Sequence, residues 1–206
     1  MRVVLTMSRP DGLAARLEAL GHDVVRLQLV SFEPIGDDPV DVTGYDWVIV
    51  TSVTGARELR RRLRGEPRRV AAIGAATAAA FGGADLVPAV STQEGLLAEL
   101  PRPAGRVLFA GAEGARRLLA DELGADFLPL YRTVELDPAV APEGDLVVLA
   151  SGSAARVFAR TGAAIPAVSI GPETSRAARA AGVTVVAEAP THDEDGLVAA
   201  VAAAAR

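Results

Sequence analysis

The chain contains no cysteine and no lysine. The first absence excludes disulfides, thiolate nucleophiles and thiolate-bound metals. The second removes the phosphate-loop lysine and any Schiff-base mechanism, because all 21 basic residues are arginine. Histidine is nearly as scarce: His22 and His192 stand far apart. A metal site would have to rest on carboxylates, none of which cluster at ligand spacing, so no metal is expected. Aromatic residues make up 4% of the 206 residues. The core is therefore built of Ala, Val and Leu, which suits parallel sheets covered by helices. The net charge of −5 argues against a nucleic-acid surface. The opening MRVVLTMSRPDG has too short an apolar run for a signal peptide, and no segment reads as a membrane span. A cytoplasmic location is expected, with neither nucleic acid nor membrane as partner.

What is present is strand followed by helix, repeatedly. RVVLT (2–6), DVVRLQLV (23–30), DWVIVTS (46–52), RVAAIG (69–74), DLVP (85–88) and RVLFAG (106–111) read as strands. DLVVLAS (145–151), PAVSIG (166–171) and VTVVAEA (183–189) read as strands too, and DFLPLYRTVEL (126–136) as a long extended stretch. Helices fit between them at 11–20, 53–64, 76–81, 91–100, 114–124, 153–161, 172–182 and 193–205. The helix at 91–100 is expected to start on a Ser91–Glu94 capping box. The fold class is thus α/β: two lobes, each a parallel sheet of about five strands flanked by helices.

The chain repeats itself at a spacing near one hundred residues. Asp46–Ser52 recurs as Asp145–Ser151, and Ile73-Gly74-Ala75-Ala76-Thr77 as Ile170-Gly171-Pro172-Glu173-Thr174. Arg2–Leu5 recurs as Arg106–Phe109, and the Thr92–Leu97 segment more loosely around Thr191 and Gly196–Val198. Four matches in order indicate duplication. The sequence alone leaves open which quarter of the chain pairs with which.

In open parallel sheets, ligands bind beyond the carboxyl ends of the strands. The residues there are mostly hydroxyls and glycines leading into helices: Arg9, Thr51, Ser52, Gly74, Thr77, Ser151, Ser153, Gly171 and Thr174. Helix starts offer free N–H groups and partial positive charge, so several converging on one cleft suit a polyanion. Ordinary N-capping is the simpler account of any single Ser or Thr; the recurrence of IGxxT in both halves puts function at that motif on an equal footing. The arginine-rich stretch 57–69 alternates with an apolar face of Ala56, Leu59 and Leu63, and reads as a solvated helix surface. His22 is expected to face solvent, and His192 to be local structure. Tyr131, on the extended stretch between the lobes, has a hydroxyl able to reach a cleft, and packing against a lobe explains it as well.

In order and spacing, these motifs resemble the uroporphyrinogen-III synthase family. The resemblance spans SRPDGLAARLEALGHDVVRLQLVSFEP, DWVIVTS, AAIGAATAAAF, STQEGLLAEL, RVLFAGAEGARRLL, LPLYRTV, VVLASGSAARVF, SIGPETSRAARAAG and THDEDGLVAAV. Ala75 departs from the family's usual polar residue after the first IG, and Ala150-Ser151 departs from its Thr-Ser pair. The resemblance implies two flavodoxin-like lobes joined by a two-stranded linker. The first lobe would be 1–30 with 137–206, the second 37–128, and the linker 31–36 with 129–136. It implies cyclisation of hydroxymethylbilane to uroporphyrinogen III, with loss of water and inversion of ring D, by a monomer without cofactors. Tyr131 would be catalytic, and the nine residues at strand ends would bind substrate. The contrasting expectation is a non-enzymatic two-lobed binding protein for a small polyanionic ligand.

Overall fold

The structure is a computed structural model that describes residues 1–138 and 140–205. Of the expected first lobe, residues 139 and 206 lie outside the described residues. The chain forms two compact units: Met1–Ser31 with Val134–Arg206, and Phe32–Thr133.

The first unit begins with β1 (Arg2–Leu5), α1 (Asp11–Ala19) and β2 (Asp23–Arg26). Strand β3 (Val30–Pro34) leads into the second unit. There follow β4 (Val40–Asp41), β5 (Trp47–Val50), α2 (Val53–Arg62), β6 (Leu63–Arg64), β7 (Val70–Ala72) and α3 (Ala75–Phe81). Next come α4 (Gln93–Glu99), β8 (Val107–Ala112) and α5 (Leu118–Leu123), and β9 (Asp126–Glu135) leads back. The first unit is completed by β10 (Leu146–Leu149), α6 (Gly152–Arg160), β11 (Ala167–Ser169), α7 (Pro172–Ala180), β12 (Val185–Glu188) and α8 (Glu194–Ala204).

The first unit's sheet has the order β12-β11-β10-β1-β2 and is parallel throughout. Strand β1 lies beside β10, Val4 opposite Val147, although 143 residues part Arg2 from the Asp145 carboxylate that takes its N–H. The second unit's sheet has the order β3-β9-β8-β5-β7, with β9, β8, β5 and β7 parallel. The architecture is mixed α/β with parallel sheets between helices, as expected.

Each sheet buries both faces, and the two-residue strand period explains how. Val3 and Leu5 pack with Leu13, Leu17, Leu197 and Val201, while Val4 packs on the other side with Ala155, Phe158 and Ala178. In the second unit, Val48 and Val50 meet Leu59 and Phe81, while Trp47 and Ile49 meet Leu96, Phe109 and Leu119.

Several boundaries differ from the sequence reading. The run 23–30 is two strands, because β2 ends at Arg26 and Val30 opens β3. DLVP contributes only an isolated bridge, Leu86 to Ala71. Helix α5 starts at Leu118, four positions after the expected Gly114. Helix α2 stops at Arg62 because Leu63 turns to extended geometry and pairs, as β6, with Val40 of β4. Its inward position is therefore taken by Arg62, which is 8% exposed and donates to the Ile35 and Asp38 carbonyls. The arginine stretch is not wholly a solvated surface: Arg60 also bonds the Phe81 carbonyl.

Candidate functional site

Each strand's carboxyl end runs into a helix, and the residue at the junction decides what that helix end offers. Four helices cap themselves. Ser52 accepts the N–H of Gly55 at 3.0 Å, Thr92 that of Gly95 at 3.0 Å, Ser151 that of Ala154 at 3.1 Å and Asp193 that of Gly196 at 2.8 Å. The cap of α4 is therefore Thr92, not Ser91: the helix begins one residue later than the capping box required. The hydroxyls of Ser52 and Ser151 are partly committed to their own helices.

Helices α3 and α7 start differently. Their caps are Gly74 and Gly171, which have no side chain to offer. The first intrahelical bonds are Ala78 to Gly74 and Ser175 to Gly171, each 3.0 Å. The N–H groups of Ala75, Ala76 and Thr77, and of Glu173 and Thr174, come before those bonds and have no acceptor within the helix. Pro172 has no N–H and is suited to the first helical position. Thr77 and Thr174 are each the third residue of their helix and 5% exposed.

The two glycines keep room for neighbouring turns. A Cβ on Gly74 would meet Ser91 Oγ at 3.2 Å, and one on Gly171 would meet His192 Nε2 at 2.6 Å. Ser91 and His192 each precede the self-capped residue of the next helix, Thr92 and Asp193. The structural counterpart of Thr92 is therefore Asp193 and not Thr191. His192 is thus placed against the second glycine motif. His22 also departs from expectation: it is half-buried, and among the described residues its buried Nδ1 has no hydrogen-bond partner.

The Asp193 carboxylate also takes the Thr191 hydroxyl at 2.7 Å. The Gly196 N–H, then that hydroxyl, hold its pKa below the usual carboxylate value. A depressed folded-state pKa gives stability that is full above the unfolded value and is lost as pH falls through the folded one. Asp193→Ala should cost about 1 kcal/mol at neutral pH. Thermal melts of both proteins should converge as the solution is acidified; a gap that stays constant would refute the role of the charge.

Tyr131 lies on β9 beside Ala112 of β8, and is 6% exposed. Its hydroxyl is 2.9 Å from Ser52 Oγ, and Phe32 meets its ring edge-on with centroids 5.5 Å apart. Burial pushes the phenol pKa above its ordinary value, and the Ser52 bond partly opposes this. The sequence reading named both residues but had no means of pairing them, since 79 positions separate them. Thr51 sits between β5 and Ser52, half-buried. Ser153 accepts from Arg156 at 3.0 Å. Arg9 is exposed on the connection from β1 to α1, and among the described residues it makes no ion pair or hydrogen bond. Among those residues, no group of three His, Asp or Glu is placed to hold a metal. No helix among them is long and apolar enough to cross a membrane.

No curated protein is matched by the chain. A solved structure of a mutant uroporphyrinogen III synthase from the extremely thermophilic bacterium Thermus thermophilus is 19% identical, with a TM-score of 0.68 over 100% of this chain and 98% of that one. That likeness shows the fold. A second Thermus thermophilus uroporphyrinogen III synthase structure is 18% identical, with a TM-score of 0.49 and full coverage of both chains. The family model described as Uroporphyrinogen-III synthase HemD matches residues 11–199. That span holds both glycine motifs, both capping serines and Tyr131, and on it the chain belongs to the uroporphyrinogen-III synthase family.

Proposed function

We propose that the chain carries out its family's reaction: it closes hydroxymethylbilane to uroporphyrinogen III, losing water and inverting ring D. The observation that carries this reading is the family match over residues 11–199. The substrate is a flexible polycarboxylate that loses hydroxide to give a reactive azafulvene. Left alone it closes without inversion, so the protein's main task is to hold the chain in the right shape. Such positioning is worth about 7 kcal/mol or more of the barrier where the geometry is favourable.

The groups proposed for that task are Arg9, Thr51, Gly74, Thr77, Ser151, Ser153, Gly171 and Thr174, with Ser52 acting through the Tyr131 hydroxyl 2.9 Å away. Arg9 brings an unpaired guanidinium suited to a carboxylate. Thr77 and Thr174 bring hydroxyls beside N–H groups without helical acceptors. Tyr131 is the proton donor to the departing hydroxide. A phenol is protonated at neutral pH, and burial moves its pKa further up; a positioned acid contributes about 10² to 10⁴ in rate. The cytoplasm and a monomeric state belong to the same proposal, the first in keeping with a biosynthetic enzyme, the second open to a mass measurement in solution.

Incubation with hydroxymethylbilane, with the product isomers resolved, tests the reading. Type III product formed faster than buffer-only closure supports it. Product of the unrearranged isomer alone, at the uncatalysed rate, overturns it.

A further inference from the structure

Ser52 Oγ has one hydrogen to give and already accepts the Gly55 N–H at 3.0 Å. Its next neighbour is the Tyr131 hydroxyl at 2.9 Å. With Ser52 donating to the phenol oxygen, the Tyr131 hydrogen is released for another acceptor. With the roles reversed, Ser52 Oγ would take two donors, and the phenol proton would be spent inside the protein. The pair is built closely. A Cβ on Gly55 would lie 3.0 Å from Ser52 Oγ, so the glycine keeps the space the serine needs, and it would touch Tyr131 Cε1 at 3.6 Å, an ordinary contact distance. The Glu113 N–H holds the Tyr131 carbonyl at 2.8 Å, and Phe32 holds the ring. Capping alone does not require this arrangement. Ser151, the counterpart in the other unit, caps Ala154 with no tyrosine beside it.

We propose that Ser52 is a positioning residue for Tyr131: it turns the phenol hydrogen toward the substrate and steadies the phenolate left behind. The inference rests on the reading of Tyr131 as proton donor. In the step, the C–O bond of the hydroxymethyl group breaks with its electron pair going to oxygen. The phenol proton completes a water molecule, and the pyrrole nitrogen's electrons form the azafulvenium cation, which keeps its N–H and balances the phenolate charge. The phenolate accepts the Ser52 hydrogen bond until macrocycle closure releases a proton from a ring carbon, which restores the phenol. Hydrogen bonds to a charged group are stronger than those to a neutral one, so the Ser52 bond tightens as the charge develops. Burial of the phenol makes that support more necessary.

The experiment combines Ser52→Ala, Ser52→Thr and Tyr131→Phe. Ser52→Ala should lower kcat about five- to tenfold and leave KM unchanged, and Ser52→Thr, which keeps the hydroxyl and the cap, should restore the rate. In the Tyr131→Phe background, Ser52→Ala should cause no further loss of kcat. A readout independent of activity is available because the chain has two tyrosines. In Tyr45→Phe protein, the phenolate absorbance reports Tyr131 alone, and Ser52→Ala should raise its titration midpoint, because the Ser52 bond lowers it. A raised KM with unchanged kcat, independent losses in the double variant, or an unmoved midpoint would each overturn the inference. Wild-type protein that makes no type III product overturns the functional reading instead, and the titration then still judges the Ser52–Tyr131 bond.

Discussion

Tyr131→Phe should slow type III formation at least about tenfold, and toward a hundredfold where no water replaces the lost donor. The fold should survive, because the ring keeps its place against Phe32 and only the Ser52 bond is lost. A bond between neutral groups contributes about 1 kcal/mol. Product affinity should hardly change, since the phenol donates in the reaction and does not anchor a carboxylate. Slow cyclisation leaves more azafulvene to close on its own, so the unrearranged isomer should rise with the fall in rate. In the wild type, the upward shift of the phenol pKa should keep the donor protonated, and the rate level, beyond the pH where an ordinary tyrosine ionises. A phenylalanine variant with wild-type rate and isomer ratio would remove Tyr131 from the chemistry and leave positioning as the whole account.

Replacing Thr77 and Thr174 together by valine should weaken binding of uroporphyrinogen III about a hundredfold. The swap keeps shape, removes one hydroxyl from each glycine-started helix and leaves the backbone N–H groups in place. Hydrogen bonds to charged groups contribute about 1.5–3 kcal/mol each, so two lost contacts amount to about 3–6 kcal/mol, and a hundredfold is the lower end of that range. Melting temperature should move little, because neither helix uses its threonine as a cap. Titration calorimetry with the product measures the affinity. Unchanged binding in the double variant would exclude both threonine hydroxyls and leave the carboxylate contacts to the backbone N–H groups and the remaining proposed residues.

Much of the fold was readable because parallel sheets buried on both faces write themselves as short Val/Ile/Leu runs between helical spacings. Trp47–Val50 and Leu146–Leu149 are such runs, buried at every position. What was not readable depended on partners distant in sequence. Leu63 has the right spacing for a helix face, yet pairing with Val40 draws it into a strand and leaves Arg62 to be buried. Val30 continues an apolar run from β2 and joins a different sheet. At the site, the duplication pointed to Gly74 and Gly171 correctly as a pair of helix starts. Capping chemistry pointed to Ser91, because Glu94 stands three residues on, whereas the third residue after Thr92, the actual cap, is Gly95. It could not place His192 against Gly171, because that contact joins the end of β11 to the turn before α8.

The route of the chain also sets an order of assembly during synthesis. Phe32–Thr133 is one continuous stretch, so every strand of its sheet has been made once β9 is complete. The other unit is built from the two ends of the chain. Strands β1 and β2 are the first made, yet β1 must lie between β2 and β10, and the sheet closes only when β12 arrives. Val3, Val4 and Leu5, all fully buried in the finished protein, therefore wait exposed while more than half the chain is translated. The usual amino-first order of folding is reversed here. Until β10 emerges, β1 lacks one of the two strands it pairs with, and that apolar edge is open to chaperones and to pairing with other chains.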